Sequence, residues 1–253
     1  MSQDGRRPRT DERPILIAAA LQEERTALER LSKELTEHQL PGVANGDLLI
    51  GQLGGRTVAL LRCGVGKVAA ASAVAAASAI NPSYVISVGS GAALRGGHQI
   101  GDVVISAEVV QHDYAAVTAA GFNLFGYGGA LPSDGDPVLR SDARLAISAA
   151  QAAHDLGTLN GFSVRVGRIA TGDWFVNDQV IRDAIAARTS ADVVEMEGAA
   201  IAYVAQRFGT PWIVIRSISD VGDETAAASF DEFLPKAAAN AAAIVEAILP
   251  RLT

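Results

Sequence analysis

Three stretches carry carboxylates where an apolar run gives way to a helical pattern: "LQEERTAL", "VVEMEGAAIAYV" and "RSISDVGDE". They hold Glu23 and Glu24, Glu195 and Glu197, and Asp220. In open α/β sheets ligands gather beyond the carboxyl ends of the strands, so acids at three strand exits can meet in one crevice and act as general acids or bases. A plainer reading stands beside this one. Acids in a helix's first turn are stabilised by its dipole, and Asp in "SDVGDE" is an ordinary turn former. These residue types name no substrate by themselves.

The glycines add a second pattern. "GVGKVA", Gly64 to Ala69, follows an apolar run and fits a relaxed dinucleotide fingerprint, but no acid lies about 20 residues on to hold a ribose hydroxyl. "GSGAAL", Gly89 to Leu94, lacks the third glycine. The Gly89-Ser90-Gly91 amides either lie against a ligand or mark close strand-to-helix packing. His38, His98, His112 and His154 share no metal-ligand spacing, and the single Cys63 reads as a small buried thiol. A net charge of -7 argues against a partner that presents phosphates, such as nucleic acid.

The elements that position these residues alternate. "ILIAAAL" precedes a helix with Leu28, Leu31 and Leu35 on one face; "TVALLRC" precedes an Ala-rich helix from Lys67 to about Ile80. "YVISVG" and "DVVISAEVV" follow, then a loop-rich stretch from His112 to Pro137, and a helix capped by Ser141 that runs through Ala153. "FSVRVGRIATG", a helix over about 178–187, "ADVVEM" and a helix opened by Glu197 come next, the last with Ile201, Val204 and Phe208 on one stripe. "WIVIRSI" and a helix from Phe230 to about Leu249, with Pro235 in its first turn, close the chain.

This order predicts a helix-flanked, mainly parallel sheet. One domain is expected over residues 14–253 of the 253, after a polar arm at 1–13. Arg6-Arg7 before "ILIAAAL" mimics an export signal, but "QEER" follows where a small-residue cleavage site belongs. With no continuous apolar run of bilayer-spanning length and one cysteine, the expectation is a cytoplasmic protein with no membrane partner.

Nine segments taken in order resemble the purine nucleoside phosphorylase superfamily, most closely its 5′-methylthioadenosine/S-adenosylhomocysteine nucleosidases. They are "LQEERTAL", "GVGKVAAA", "VGSGAAL", "GDVVIS", "HDYAAVTA", "ATGDWFVN", "VVEMEGAAIAYV", "RSISDVGDE" and "SFDEFL". The resemblance implies a three-layer α/β/α fold with a central, mainly parallel mixed sheet. It also implies hydrolysis of the adenine–ribose bond of a 5′-modified adenosine, no metal or organic cofactor, and a homodimer in which a neighbouring loop closes each site.

By the same resemblance, Asp220 is the general acid at purine N7, Glu24 activates water and Glu197 holds the ribose 2′ and 3′ hydroxyls. Ser219 orients Asp220, while Glu195 is supporting. Phe175 and Val176 hold the base, with Trp174 as packing. Ser90 and Gly91 line the sugar, Met196 either touches the ribose or fills the core, and Val65 and Phe230 wall the 5′ group. Val117, Phe125 and Pro132 are the expected contribution of the partner subunit.

The chain departs from the pattern at three places. Leu21 stands where the family has Met, and the stretch "VTAAGFNLFGYGGALP" is longer than the closing loop it resembles. Ser87 stands where phosphate-using relatives carry Arg, which favours water as the nucleophile, although Arg25 and Arg216 keep a phosphorylase in view. An aminodeoxyfutalosine hydrolase and a non-catalytic nucleoside binder are the remaining alternatives.

Overall fold

The structure is a computed structural model that describes residues 13–119, 121–128 and 131–252. All of the expected N-terminal arm except Arg13 lies outside the described residues.

The chain opens with β1 (Ile15–Ala19), whose five residues are all buried. Side chains alternate across a strand, so Ile15, Ile17 and Ala19 join one core cluster and Leu16 and Ala18 join another. A strand that is apolar at every position is one covered on both faces. α1 (Gln22–Leu31) follows, then β2 (Lys33–Glu37), β3 (Leu48–Leu53), β4 (Arg56–Arg62) and α2 (Lys67–Ala77) with a 3-10 turn, Ser78–Ile80. Next are β5 (Tyr84–Ala93), β6 (Val103–Gln111), the hairpin β7 (Ala115–Thr118) and β8 (Gly121–Leu124), β9 (Val138–Arg140) and α3 (Ala143–Asn160). β10 (Val164–Thr171), α4 (Gln179–Thr189), β11 (Val193–Glu195), α5 (Gly198–Arg207), β12 (Trp212–Asp220) and α6 (Ala226–Ile248) complete it.

The central sheet runs β11-β10-β6-β12-β5-β1-β4-β3-β2, with β9 on β6. It is mixed. β1 lies parallel to β4 and β5, β12 to β5, and β10 to β6 and β11. The β2-β3-β4 edge and the short ladders β12–β6, β11–β5 and β6–β9 are antiparallel. Because β11 pairs with both β10 and β5, five strands close into a ring. Leu28 of α1, Leu145 of α3 and Ile244 of α6 pack on one face, and Val74 of α2 and Ile201 of α5 on the other, which gives three layers.

Several local expectations are corrected. Leu35 is in β2, not α1: the helix stops at Ser32, and Glu34 takes a left-handed turn (φ 55°) into an edge strand too polar to be recognised by alternation. β3 was not expected either. The cap of α3 is Asp142, whose carboxylate accepts from the Leu145 amide at 2.9 Å, and the helix runs on to Gly161 in the left-handed region. The stretch 112–137 holds the β7–β8 hairpin and a 3-10 turn, Pro132–Asp134. α6 begins at Ala226, which leaves Pro235 inside the helix, where burial of Leu234, Ala237 and Ala241 offsets its lost hydrogen bond. Phe208 lies 58% exposed, off the core stripe of α5. α6 is also long and apolar enough, by length and composition, to cross a membrane; half of that apolar window is buried, and its Ala241, Ile244 and Val245 sit in the core.

Candidate active site

The exits of β1, β5, β11 and β12 converge on a cavity of about 310 Å³. All eleven positions expected on the chain's own side line it: Glu24, Val65, Ser90, Gly91, Phe175, Val176, Met196, Glu197, Ser219, Asp220 and Phe230. Leu21, Glu195 and Trp174 line it too, and the Trp174 ring packs edge-on against His112 at 5.1 Å. Val117 and Phe125 do not line it. Val117 is an exposed residue of β7, Phe125 packs against Tyr114 at 5.2 Å, and Pro132 opens the 3-10 turn.

Glu24 is the third residue of α1, and its carboxylate reaches back over the helix start. Oε2 accepts from the Ala20 and Leu21 amides at 3.1 and 3.2 Å; Oε1 accepts from the Ser90 amide and hydroxyl at 2.9 and 3.0 Å. The acid therefore serves both readings, closing the helix end and facing the cavity. It also explains Gly89, where a Cβ would stand 2.8 Å from Glu24 Oε1. A Cβ on Gly91 would meet Val193 at 2.6 Å. Close packing accounts for both glycines, and the Ser90 amide is spent on Glu24 rather than offered to a ligand.

Glu195 and Glu197 divide the work around Met196. Glu195 accepts from the Glu197 and Gly198 amides at 3.0 and 2.7 Å, from Arg216 Nη2 at 2.5 Å and from the Thr171 hydroxyl. It caps α5 and neutralises Arg216. Glu197 Oε1 accepts from the Gly66 amide at 2.8 Å, Oε2 lies 3.8 Å from Arg216, and the residue lines the cavity. Burial first, and then the Glu195 charge, push the Glu197 carboxyl up to about 8.

Asp220 ends β12 and is 3% exposed. Its Oδ2 accepts from the Ser219 hydroxyl and its Oδ1 from the Gly222 amide, both at 2.9 Å. Burial raises its pKa against the opposing effect of those two bonds.

The dinucleotide pattern is accounted for differently. At the start of α2 the Gly66 amide binds Glu197, and the Lys67 amide binds Asp173 at 2.8 Å. Lys67 Nζ reaches Asp113 at 2.6 Å, and Asp113 accepts in turn from the Asp173 amide at 2.9 Å. The helix's positive end is thus taken up by the chain's own carboxylates rather than by a pyrophosphate. This lacing of 66–67 to 113 and 173 was missed from sequence, because its members are far apart in the chain and carry no joint pattern.

Both arginines that kept phosphate in view are committed elsewhere. Arg25 donates to Glu29 at 2.7 Å, to the Gly46 carbonyl at 2.6 Å and to Gln22 at 3.2 Å. Arg216 is consumed by Glu195 and by Ser87 at 3.0 Å, so Ser87 serves as an acceptor where an arginine was looked for. Cys63 is buried, and desolvation pushes its thiol far above the ordinary range, leaving it neutral. Among the described residues no group of three His, Cys, Asp or Glu is placed to hold a metal.

Two outcomes follow from this buried charge. Arg216→Met leaves Glu195 uncompensated and is expected to destabilise the fold by about 3–5 kcal/mol, read as a drop in denaturation midpoint. For Glu197 the folded value of about 8 stands above the ordinary 4.5. The folded chain then holds more protons than the unfolded one between those values, so stability falls as pH rises from 4.5 to about 8. Glu197→Gln cannot ionise and should lack that slope, melting above the wild type at pH higher than 8. Parallel Tm curves for the two proteins would refute this.

Comparison with known proteins agrees with the geometry. The family profile described as the phosphorylase superfamily matches residues 14–250. A 5′-methylthioadenosine/S-adenosylhomocysteine nucleosidase of Haemophilus influenzae is 39% identical over 245 residues, covering 94% of this chain and 99% of the relative. The nucleosidase of that name from Neisseria meningitidis, solved with methylthio-immucillin-A, superposes with a TM-score of 0.82 at 34% identity, covering 95% of this chain and all of that one. A futalosine hydrolase of Helicobacter pylori superposes with a TM-score of 0.83 at 28% identity, over 95% and 98% of the two chains.

Proposed function

The chain belongs to the phosphorylase superfamily, and from that premise we propose that it hydrolyses the N-glycosidic bond of 5′-methylthioadenosine and S-adenosylhomocysteine, releasing adenine and a 5-thioribose. The observation that carries this reading is one cavity bordered by Glu24, Glu197 and Asp220, with both nearby arginines already paired. With both arginines committed to the chain's own acids, the cavity offers phosphate no counter-charge, and its carboxyl lining suits a substrate that turns positive.

Adenine leaves poorly as an anion. Asp220, whose burial raises its pKa and so favours the protonated carboxyl, gives its proton to N7 as the C1′–N9 bond stretches. Ser219 holds the carboxyl toward the base. The ribose becomes oxocarbenium-like, and Glu24 takes a proton from the water that attacks C1′. Glu197 receives the 2′ and 3′ hydroxyls, and growing positive charge on the sugar favours its anionic form. Phe175 and Val176 bracket the base, and Val65 and Phe230 form an apolar wall for the thioalkyl group.

The decisive assay incubates the pure protein with methylthioadenosine in phosphate-free buffer and measures free adenine. Release without phosphate supports the reading; release only with phosphate overturns it in favour of phosphorolysis. Comparing 5′ groups separates these substrates from aminodeoxyfutalosine.

A homodimer belongs to the same proposal. It is supported by Val68 of α2, 81% exposed, and by Tyr203 and Phe208 of α5, apolar surface on two helices that pack together. Val117 and Phe125 are then free to close a neighbour's site. Light scattering should give twice the chain mass. A cytoplasmic location is proposed on the strength of Cys63, a single buried free thiol.

A further inference from the structure

Next to the catalytic cavity lies a second one of about 390 Å³, and the two share Ala20, Leu21 and Val65 as walls. Its chemistry differs. Where the first cavity presents carboxylates, the second presents one charge of each sign, Asp47 and Arg62. The fold explains the placement: β1 and β4 run parallel with Ala19 opposite Arg62, so Arg62 leaves the sheet at the end from which Glu24 enters the site. Asp47 stands just before β3, and its carbonyl accepts from the Arg62 amide at 2.8 Å.

The pair is made but not saturated. Nε and Nη2 of Arg62 both lie 2.6 Å from the same oxygen, Asp47 Oδ1. Among the described residues, neither Asp47 Oδ2 nor Arg62 Nη1 has a partner, and the Arg62 side chain is 41% exposed. A guanidinium edge beside a half-used carboxylate fits a zwitterion, one group for each charge.

We infer that this second cavity binds the α-amino-acid end of S-adenosylhomocysteine, Arg62 taking the carboxylate and Asp47 the ammonium, and so sets the enzyme's preference between that substrate and methylthioadenosine. The inference rests on the function proposed above. With the base beside Phe175 and the sulfur against Val65, the homocysteine chain runs on from the shared Leu21–Val65 wall toward the second cavity. A methyl group on sulfur stops short of it.

The test compares kcat/KM for the two substrates in the wild type and in Arg62→Gln. Because Arg62 is partly exposed, a loss of about tenfold is expected for S-adenosylhomocysteine, carried mainly by KM, with methylthioadenosine changed less than twofold. S-adenosylhomocysteine lacking its α-carboxylate should be turned over equally by both proteins. Equal losses on both substrates, or no loss on either, overturn the inference while leaving the nucleosidase reading intact. Wild-type protein that releases no adenine from methylthioadenosine overturns both.

Discussion

Asp220→Asn is expected to lower the rate of adenine release by about a hundred- to ten-thousand-fold while the fold and ligand binding survive. The substitution keeps the shape of the side chain. Its amide oxygen can still accept from the Gly222 amide, 2.9 Å from Oδ1 in the wild type. The Ser219 hydroxyl, facing an amide N–H₂ instead of Oδ2, can turn to the Gly91 carbonyl, 3.4 Å away. What is lost is the proton. Wild-type turnover should fall as pH rises through the elevated Asp220 pKa, since only the protonated carboxyl can donate. The variant should show a low rate without that limb. A variant that binds a methylthioadenosine analogue as tightly as the wild type and turns over the substrate at an undiminished rate would remove Asp220 from the mechanism.

Glu24→Gln should cost a comparable factor in kcat, for a different reason, and some stability as well. All four contacts of the carboxylate are donors: the Ala20 and Leu21 amides on one oxygen, the Ser90 amide and hydroxyl on the other. An amide side chain must point its own N–H₂ at one of these sets. The lesser conflict leaves the Ser90 amide unpaired, at a cost of about 1–3 kcal/mol. Water in the cavity then has no base to take its proton, and loss of a positioned base is worth about 10² to 10⁴ in rate. Measuring Tm and kcat together separates the two effects. A Tm that drops while kcat holds would make Glu24 a helix-closing residue and nothing more.

Most of the α/β order is legible in the chain because its strands are continuously apolar, as in β1 and β12, and its helices are broken at Asn81-Pro82 and Gly209. β2 was not legible: "KELTE" is a polar edge strand held by its ladder to β3 rather than by a pattern of its own. The start of α6 was misplaced because proline marks a helix's first turn in the average chain, whereas here tertiary burial carries the helix through it. Phe208 was assigned to the core by spacing alone, but periodicity cannot tell a buried face from one left open for another surface.

The sequence by itself determined that the three acids border one cavity. Each acid follows an apolar strand, and in a sheet whose main ladders are parallel such exits lie at one end, so Glu24, Glu197 and Asp220 had few other places to go. Tertiary structure alone decided the partners and the charge of each acid. Glu195 and Glu197 are two residues apart and chemically alike, yet one meets Arg216 at 2.5 Å and the other has its carboxyl raised to about 8. Spacing places a side chain on an element; the charge it carries depends on burial and on partners that are distant in the chain, and those are set only when the strands close around them.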